Sequence, residues 1–241
     1  MSIPVDPITA SARVKALAAG AALTPVWRND LGGVTFATDD GRYIKHGPRN
    51  AETSMAGEAQ RLRWAARFTP VPRVLEEGAD ATTEWLVTAA MPGRSAVDPR
   101  WVAEPAVAVR AIGEGLRALH DALPVTECPY DWGVPARVEN AAERGIRVPE
   151  ALRVPPPTDR LVVCHGDACA PNTLLDDDGS WTAHVDLGAL GVADRWADIA
   201  VAAMSTGWNY GPGWEDALLA AYGVDPDPQR MAFYQELWNE T

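Results

Sequence analysis

Leu161-Val162-Val163-Cys164-His165-Gly166-Asp167-Ala168-Cys169-Ala170-Pro171-Asn172 opens a stretch that continues as TLLDDDGSWTAHVDLGALGVADRWADIA to Ala200. The apolar run Leu161–Cys164 reads as a short buried strand. His165-Gly166-Asp167 breaks it with a polar loop. Asn172 follows Asp167 by five residues and Asp186 follows it by nineteen. Residues 181–185 read as a second strand, which Asp186-Leu187-Gly188 ends with a carboxylate and a glycine. Residues 191–204 read as a helix with Asp194 as cap or first-turn carboxylate.

One carboxylate, one amide and a second carboxylate at the end of a strand suit phosphoryl transfer. That reaction needs a base for a hydroxyl proton and oxygen ligands that hold Mg²⁺ against phosphates. Asp and Asn also serve in plain turns and caps. The joint spacing HGD-x4-N…D-x-G is far more specific, and it is similar to the catalytic loop and metal-binding Asp-x-Gly of protein kinases. Asp167 is then the base, and Asn172 and Asp186 the metal ligands. The wording VVCHGDACAPN, VDLG and GVADRWADIA, with Met231-Ala232-Phe233-Tyr234 near the end, resembles the aminoglycoside phosphotransferases, especially their 3′ and 3″ branches.

The resemblance implies an α+β, two-lobed, protein-kinase-like fold. Residues 1–91 would form a small nucleotide-binding lobe of antiparallel sheet with a helix. Residues 92–241 would form a larger, mainly helical lobe for catalysis and acceptor binding. ATP (or GTP) and Mg²⁺ are the implied cofactors, and a small hydroxylated molecule the partner.

Composition agrees with an ordinary globular chain: 241 residues, 47% hydrophobic and 22% charged. No apolar run is long enough for a transmembrane helix, and MSIPVDPITASARV lacks the pattern of a secretory signal. A net charge of −12 argues against nucleic-acid and anionic-membrane partners and is compatible with a cationic substrate or simple solubility. Cys128, Cys164 and Cys169 make an odd count, which reduced thiols in a cytoplasmic protein explain; Cys-x4-Cys lacks the further ligands of a zinc site.

Along the first lobe, residues 7–20 read as a helix ending at Gly20. Strands are expected at 23–27, 34–38, 42–45, 71–75 and 85–88, with a polar turn over 76–83. Gly32-Gly33 lies in the first hairpin, where the resemblance implies cover for the phosphates by backbone N–H groups. Lys45 lies on the third strand, the implied place of the phosphate-binding lysine. A helix over 52–67 should supply its carboxylate partner. Glu58 is in the family register, and Glu52 competes. By resemblance, the adenine bonds the backbone at Ala89 and Met91, beside the Pro92-Gly93 hinge.

The second lobe reads as a long helix over 104–120, a Pro-rich loop over 124–135, and helices over 136–152, 215–222 and 229–238. Asp198 resembles the family's aspartate that supports the catalytic loop, and His120 reads as structural or solvated.

On the acceptor side the chain departs from the family. The carboxylate pair expected near the C-terminus falls on Trp238 and Asn239, which leaves Glu236, Glu240 and Thr241 nearby. Residues 204–209 carry no charge. Trp208, Tyr210, Trp214 and Trp238 could line a pocket for a less charged or glycosidic acceptor. The resemblance still makes an aminoglycoside phosphorylated at a 3′-type hydroxyl the first expectation. The rivals are a kinase of another hydroxylated metabolite or antibiotic, and a catalytically silent nucleotide-binding protein. A protein kinase is disfavoured, because no Ala-Pro-Glu element follows Asp186.

Overall fold

A computed structural model describes residues 8–51 and 54–241. The chain divides into two compact units. One holds the residues up to Arg67 with Pro72–Met91, and the other holds Phe68–Val71 with Pro92–Thr241.

The first unit is a five-stranded antiparallel sheet of β1 (Leu23–Arg28), β2 (Val34–Thr38), β3 (Arg42–Pro48), β4 (Val74–Ala79) and β5 (Thr83–Ala89), in the order β1-β2-β3-β5-β4. Helix α1 (Ala12–Ala18) buries Val14 and Ala18 against Phe36, Ile44, Trp85 and Val87. Ser11 starts that helix by accepting from the Val14 N–H at 3.2 Å. Arg42 ends it by donating to the Leu17 and Ala18 carbonyls at 2.9 and 2.8 Å. The helix is shorter than the sequence reading, whose first residue, Pro7, lies outside the described residues. Helix α2 (Met55–Ala65) packs on β4 and β5.

The strand expected over 71–75 and the turn over 76–83 need correction. β4 runs through Glu76-Glu77-Gly78, and the turn shrinks to the residues around Asp80, whose Oδ1 accepts from the Thr82 and Thr83 N–H groups at 3.0 and 2.8 Å. β4 is the sheet's edge, and its glutamates find partners there: Glu76 accepts from Trp85 Nε1 at 3.2 Å and Glu77 from Arg63 at 3.0 Å. Polarity therefore misreads as loop there.

The second unit contains β6 (Arg94–Ser95), α3 (Pro99–Val102), α4 (Pro105–Ala122), α5 (Val134–Glu143), β7 (Leu161–Cys164), β8 (Thr173–Leu175), β9 (Trp181–His184), β10 (Gly191–Asp194), α6 (Trp196–Tyr210), α7 (Glu215–Tyr222) and α8 (Pro228–Glu240). The strands form a β6-β8-β9 sheet and a separate β7-β10 ribbon. α4 packs against α7 and α6 against α8. The α4–α7 contact is close because position 113 is glycine: a Cβ there would meet the Ala221 Cβ at 2.7 Å.

Two expected helices are corrected. Residues 191–194 are strand, pairing Gly191 with Cys164 and Asp194 with Leu161, and helix α6 begins only at Trp196. Pairing with a strand thirty residues earlier outweighs local helix preference. The helix expected over 136–152 occupies Val134–Glu143 and stops before Gly145, whose φ is +77°. No helix among the described residues is long and apolar enough to cross a membrane.

Candidate active site

In the first unit, Lys45 sits mid-β3, opposite Thr35 of β2 and Leu86 of β5. Its Nζ donates to both carboxylate oxygens of Glu58, at 2.8 and 2.9 Å. Glu58 is buried in the first turn of α2, a helix capped by Ser54. A carboxylate near a helix N-terminus is stabilised by the helix dipole, and the ammonium fixes its orientation. Of the two carboxylates considered for Lys45, Glu58 is the partner seen; Glu52 lies outside the described residues.

The β1–β2 hairpin closes through Asn29, whose Oδ1 accepts from the Gly33 N–H at 2.6 Å and whose N–H donates to the Gly33 carbonyl at 3.0 Å. Gly32 has φ +84°. A Cβ on Gly47 of β3 would lie 2.8 Å from the Gly33 Cα, so the hairpin hugs its neighbour. The Ala89 N–H donates to the Arg73 carbonyl at 2.9 Å, which leaves the carbonyl of Ala89 for any nucleobase contact. Met91 is the last residue of this unit.

In the second unit, the loop after β7 carries Asp167. Asn172 Nδ2 donates to the Asp167 carbonyl at 3.0 Å and to its Oδ2 at 3.1 Å. The Asp167 Oδ1 is buried without a hydrogen-bond partner. Burial, reinforced by the charge of Asp186, pushes the Asp167 carboxyl above its ordinary value, and the Cys169 thiol partly offsets this. Asp186 closes the set just past β9 with φ +64°, a left-handed backbone that costs a non-glycine residue energy and is found preferentially at functional positions. Because Asn172 turns its NH₂ toward Asp167, its amide oxygen is the atom left for a cation. With the Asp186 carboxylate it makes an all-oxygen donor set, which suits a hard divalent ion such as Mg²⁺.

His165 orders the loop from within. Its Nε2 meets the Val185 carbonyl at 3.0 Å, and its Nδ1 meets the Asp167 N–H at 3.2 Å. A carbonyl only accepts and an N–H only donates, so the ring carries its proton on Nε2. Gly166 has φ +86°, and a Cβ there would lie 2.2 Å from the Ala189 carbonyl oxygen. Gly166→Ala is expected to destabilise the fold by about 2–4 kcal/mol, the left-handed penalty plus the clash. Urea denaturation checks this, and an unchanged midpoint would contradict the packing described.

Asp198 of α6 holds the loop from below. Its Oδ2 accepts from the His165 N–H at 2.6 Å and its Oδ1 from the Gly166 N–H at 3.0 Å. His120 of α4 approaches Oδ2 through Nε2 at 3.0 Å, and Tyr222 of α7 meets its Nδ1 at 2.8 Å. In the neutral ring, Nε2–H donates to Asp198 and Nδ1 accepts from Tyr222. Burial raises the Tyr222 pKa to about 12, which keeps that hydroxyl a donor. Burial alone would also raise the Asp198 carboxyl, but the His120 hydrogen bond and the loop amides outweigh it and hold it below its ordinary value. The sequence showed neither His120 nor Tyr222 as part of this network. Only the Asp198 position, read through the resemblance, pointed here.

The acceptor-side candidates are scattered. Trp208 of α6 is 61% exposed. Tyr210 and Trp214 belong to packing: the Tyr210 hydroxyl donates to the Ala96 carbonyl at 2.7 Å, and Trp214 Nε1 donates to the Tyr210 carbonyl at 3.3 Å. Glu236 and Glu240 are exposed on α8. Trp238 lies under the Arg137 guanidinium, 6.0 Å from its ring centre. Thr241 receives hydrogen bonds from Arg137 at its hydroxyl and from Arg144 at its carbonyl, at 2.8 and 2.6 Å. Two guanidiniums already surround it, so an acceptor's ammonium has no place there.

Comparison with known proteins agrees with this geometry. The model of the phosphotransferase enzyme family matches residues 14–234. An aminoglycoside 3′-phosphotransferase of Streptomyces fradiae is 40% identical over 226 aligned residues, covering 81% of this chain and 84% of the relative. A crystal structure of a type VIII aminoglycoside-3′-phosphotransferase superposes with a TM-score of 0.73 at 31% identity, covering 92% of this chain and 94% of the other. The aminoglycoside phosphotransferase APH(3″)-Id of Streptomyces rimosus, in complex with ADP and streptomycin, gives 0.70 at 27% identity with the same coverage. Sheet-built first unit, mainly helical second unit and matched family together make the fold the α+β, kinase-like one, and the chain belongs to the phosphotransferase enzyme family.

Proposed function

We propose that this chain transfers the γ-phosphoryl group of ATP or GTP to a hydroxyl of a small cationic acceptor, an aminoglycoside phosphorylated at a 3′-type position. The observation that carries the chemistry is Asp167: a carboxylate held through Oδ2 by Asn172 and lying beside Asp186 and the Cys169 thiol. It takes the proton from the acceptor hydroxyl as the hydroxyl oxygen attacks phosphorus. Lys45, oriented by Glu58, meets the nucleotide phosphates. The Ala89 carbonyl and the Met91 backbone take the base, whereas the N–H groups of Gly32 and Gly33, expected to cover the phosphates, are both occupied by Asn29 within their own hairpin. Residues 1–91 thus serve as the nucleotide lobe and 92–241 as the catalytic and acceptor lobe. Asn172 and Asp186 would hold Mg²⁺, which, when bound, neutralises charge on the phosphates.

Charge supports a cationic acceptor. The first unit carries ten basic and ten acidic residues, whereas the second carries 11 basic and 23 acidic, so the whole net charge of −12 lies on the second. Exposed Glu236 and Glu240 contribute to it, and the exposed Trp208 ring offers a face to a sugar. Raising ionic strength about tenfold is expected to raise the acceptor KM several-fold and the nucleotide KM much less. Equal salt dependence of both would remove this support.

The test is turnover with ATP and Mg²⁺ over a panel of aminoglycosides, read by mass spectrometry. A product heavier by one phosphoryl group supports the reading. Intact nucleotide binding without product favours a second one, a kinase of a less charged hydroxylated antibiotic or metabolite. The uncharged stretch Met204-Ser205-Thr206-Gly207-Trp208-Asn209 is what recommends that alternative.

A further inference from the structure

Helix α6 touches the catalytic loop twice. Asp198 grips the N–H groups of His165 and Gly166, on the near side of Asp167. Seven residues on, two helical turns along the same face, Ser205 Oγ accepts from the Ala170 N–H at 2.8 Å, on the far side of Asp167. Ser205 and the backbone it serves are fully buried. One turn further, Asn209 Nδ2 donates to the Ser205 carbonyl at 2.8 Å and to Oγ at 3.2 Å. The hydroxyl oxygen is thereby fixed between an amide of its own helix and an amide of the loop.

The Ala170 N–H is the first of the tight turn Ala170–Asn172. That turn sets where Asn172 stands, and Asn172 in turn orients the Asp167 carboxylate. The path Asn209–Ser205–Ala170–Asn172–Asp167 is continuous in hydrogen bonds and one short turn of chain. We propose that Ser205, oriented by Asn209, is a positioning residue that fixes the far half of the catalytic loop and so the aim of Asp167. It touches no substrate itself, and the proposal rests on Asp167 being the base of a phosphoryl transfer.

The experiment compares Ser205→Ala, Ser205→Thr and Asn209→Ala in the full chain, with ATP, Mg²⁺ and whichever aminoglycoside the parent turns over. Ser205→Ala should lower kcat on the order of 10–100-fold with both KM values within about twofold, the pattern of misplacement rather than lost binding. Ser205→Thr, which restores the hydroxyl, should recover most of that loss. Asn209→Ala should lower kcat by a smaller factor, about 3–10-fold. An alanine variant with parental kcat, a threonine variant as poor as alanine, or a loss confined to KM would each overturn the proposal. If Ser205→Ala does not fold, Asn209→Ala with Ser205→Thr decides by the same criteria. Amide hydrogen exchange at Ala170 is read in parallel. Loss of protection there in Ser205→Ala, with the Gly166 amide still protected, is expected whether or not an acceptor is found. A parent inactive on every aminoglycoside would therefore count against the aminoglycoside reading, and an Ala170 amide unmoved by the substitution would count against the anchor.

Discussion

Asp167→Asn is expected to abolish most turnover and yet to raise the melting temperature. The first half follows from chemistry. An amide cannot take a proton at neutral pH, and losing a positioned base costs on the order of 10²–10⁴-fold in kcat. Nucleotide affinity should stay within about twofold, since Lys45 and Glu58 lie on other elements. The second half follows from burial. The Asp167 carboxyl is raised above its ordinary value by its surroundings, so ionised Asp167 destabilises the fold at neutral pH. Asparagine keeps an oxygen for Asn172 and removes the charge. On the reading proposed above, the fold tolerates this cost because the reaction needs the carboxylate. Single-turnover kinetics and a thermal melt read the two halves. A variant with full turnover would end the base assignment, and one with a lower melting temperature would show that the carboxylate helps to hold its loop.

Asp198→Ala should be among the most damaging substitutions outside the reacting groups. It strips the acceptor from the His165 and Gly166 amides and from His120 at once, all of them buried. Removing one partner from such a buried charged network typically costs about 3–5 kcal/mol. Chemical denaturation should show that loss, with activity falling as the loop loosens. The pH dependence has a definite sign. The Asp198 carboxyl is held below its ordinary value of 3.8, so its contribution is whole above about pH 4 and is lost only as the pH falls through the lower folded value. The stability gap between parent and variant should therefore be constant from neutral pH to about 5 and close only in stronger acid. A gap that closes near neutrality would overturn the assignment of this contribution to the Asp198 carboxylate.

Much of this was legible in the chain, for identifiable reasons. Lys45 and Glu58 could be paired because the helix after the third strand resembles the family's, and that register favours Glu58 over Glu52. Asp167, Asn172 and Asp186 could be grouped because the chemistry fixes their spacing. Position 198 was legible only through the resemblance. What escaped was set by pairing or burial at a distance. Gly191-Val192-Ala193-Asp194 has nothing local to mark it as a strand until Leu161–Cys164 lies beside it. Glu76 and Glu77 read as turn because their strand is an edge. His120, with its partners 78 and 102 residues away, read as bland. Ser205 did have a signal, the seven-residue step from Asp198 along a helix, but the uncharged residues around it drew attention only to missing carboxylates. Thr241 was proposed for its oxygen atoms, and the arginines that claim them lie about a hundred residues earlier.

The antiparallel register that sets Gly191 against Cys164 has a topological consequence. Everything between them, Asp167, Asn172, Asp186 and the β8–β9 hairpin, leaves the ribbon and returns to the same point. The candidate site residues are thus carried on a closed excursion from a two-stranded stem, with its entry and exit clasped together. Its outermost bend, at the exposed Asp176-Asp177-Asp178, lies at the far end of that excursion from the clasp. That bend is itself tied down: Arg100 donates to the Asp177 carboxylate and carbonyl at 3.0 and 2.6 Å, so the excursion is held at its tip as well as at its stem.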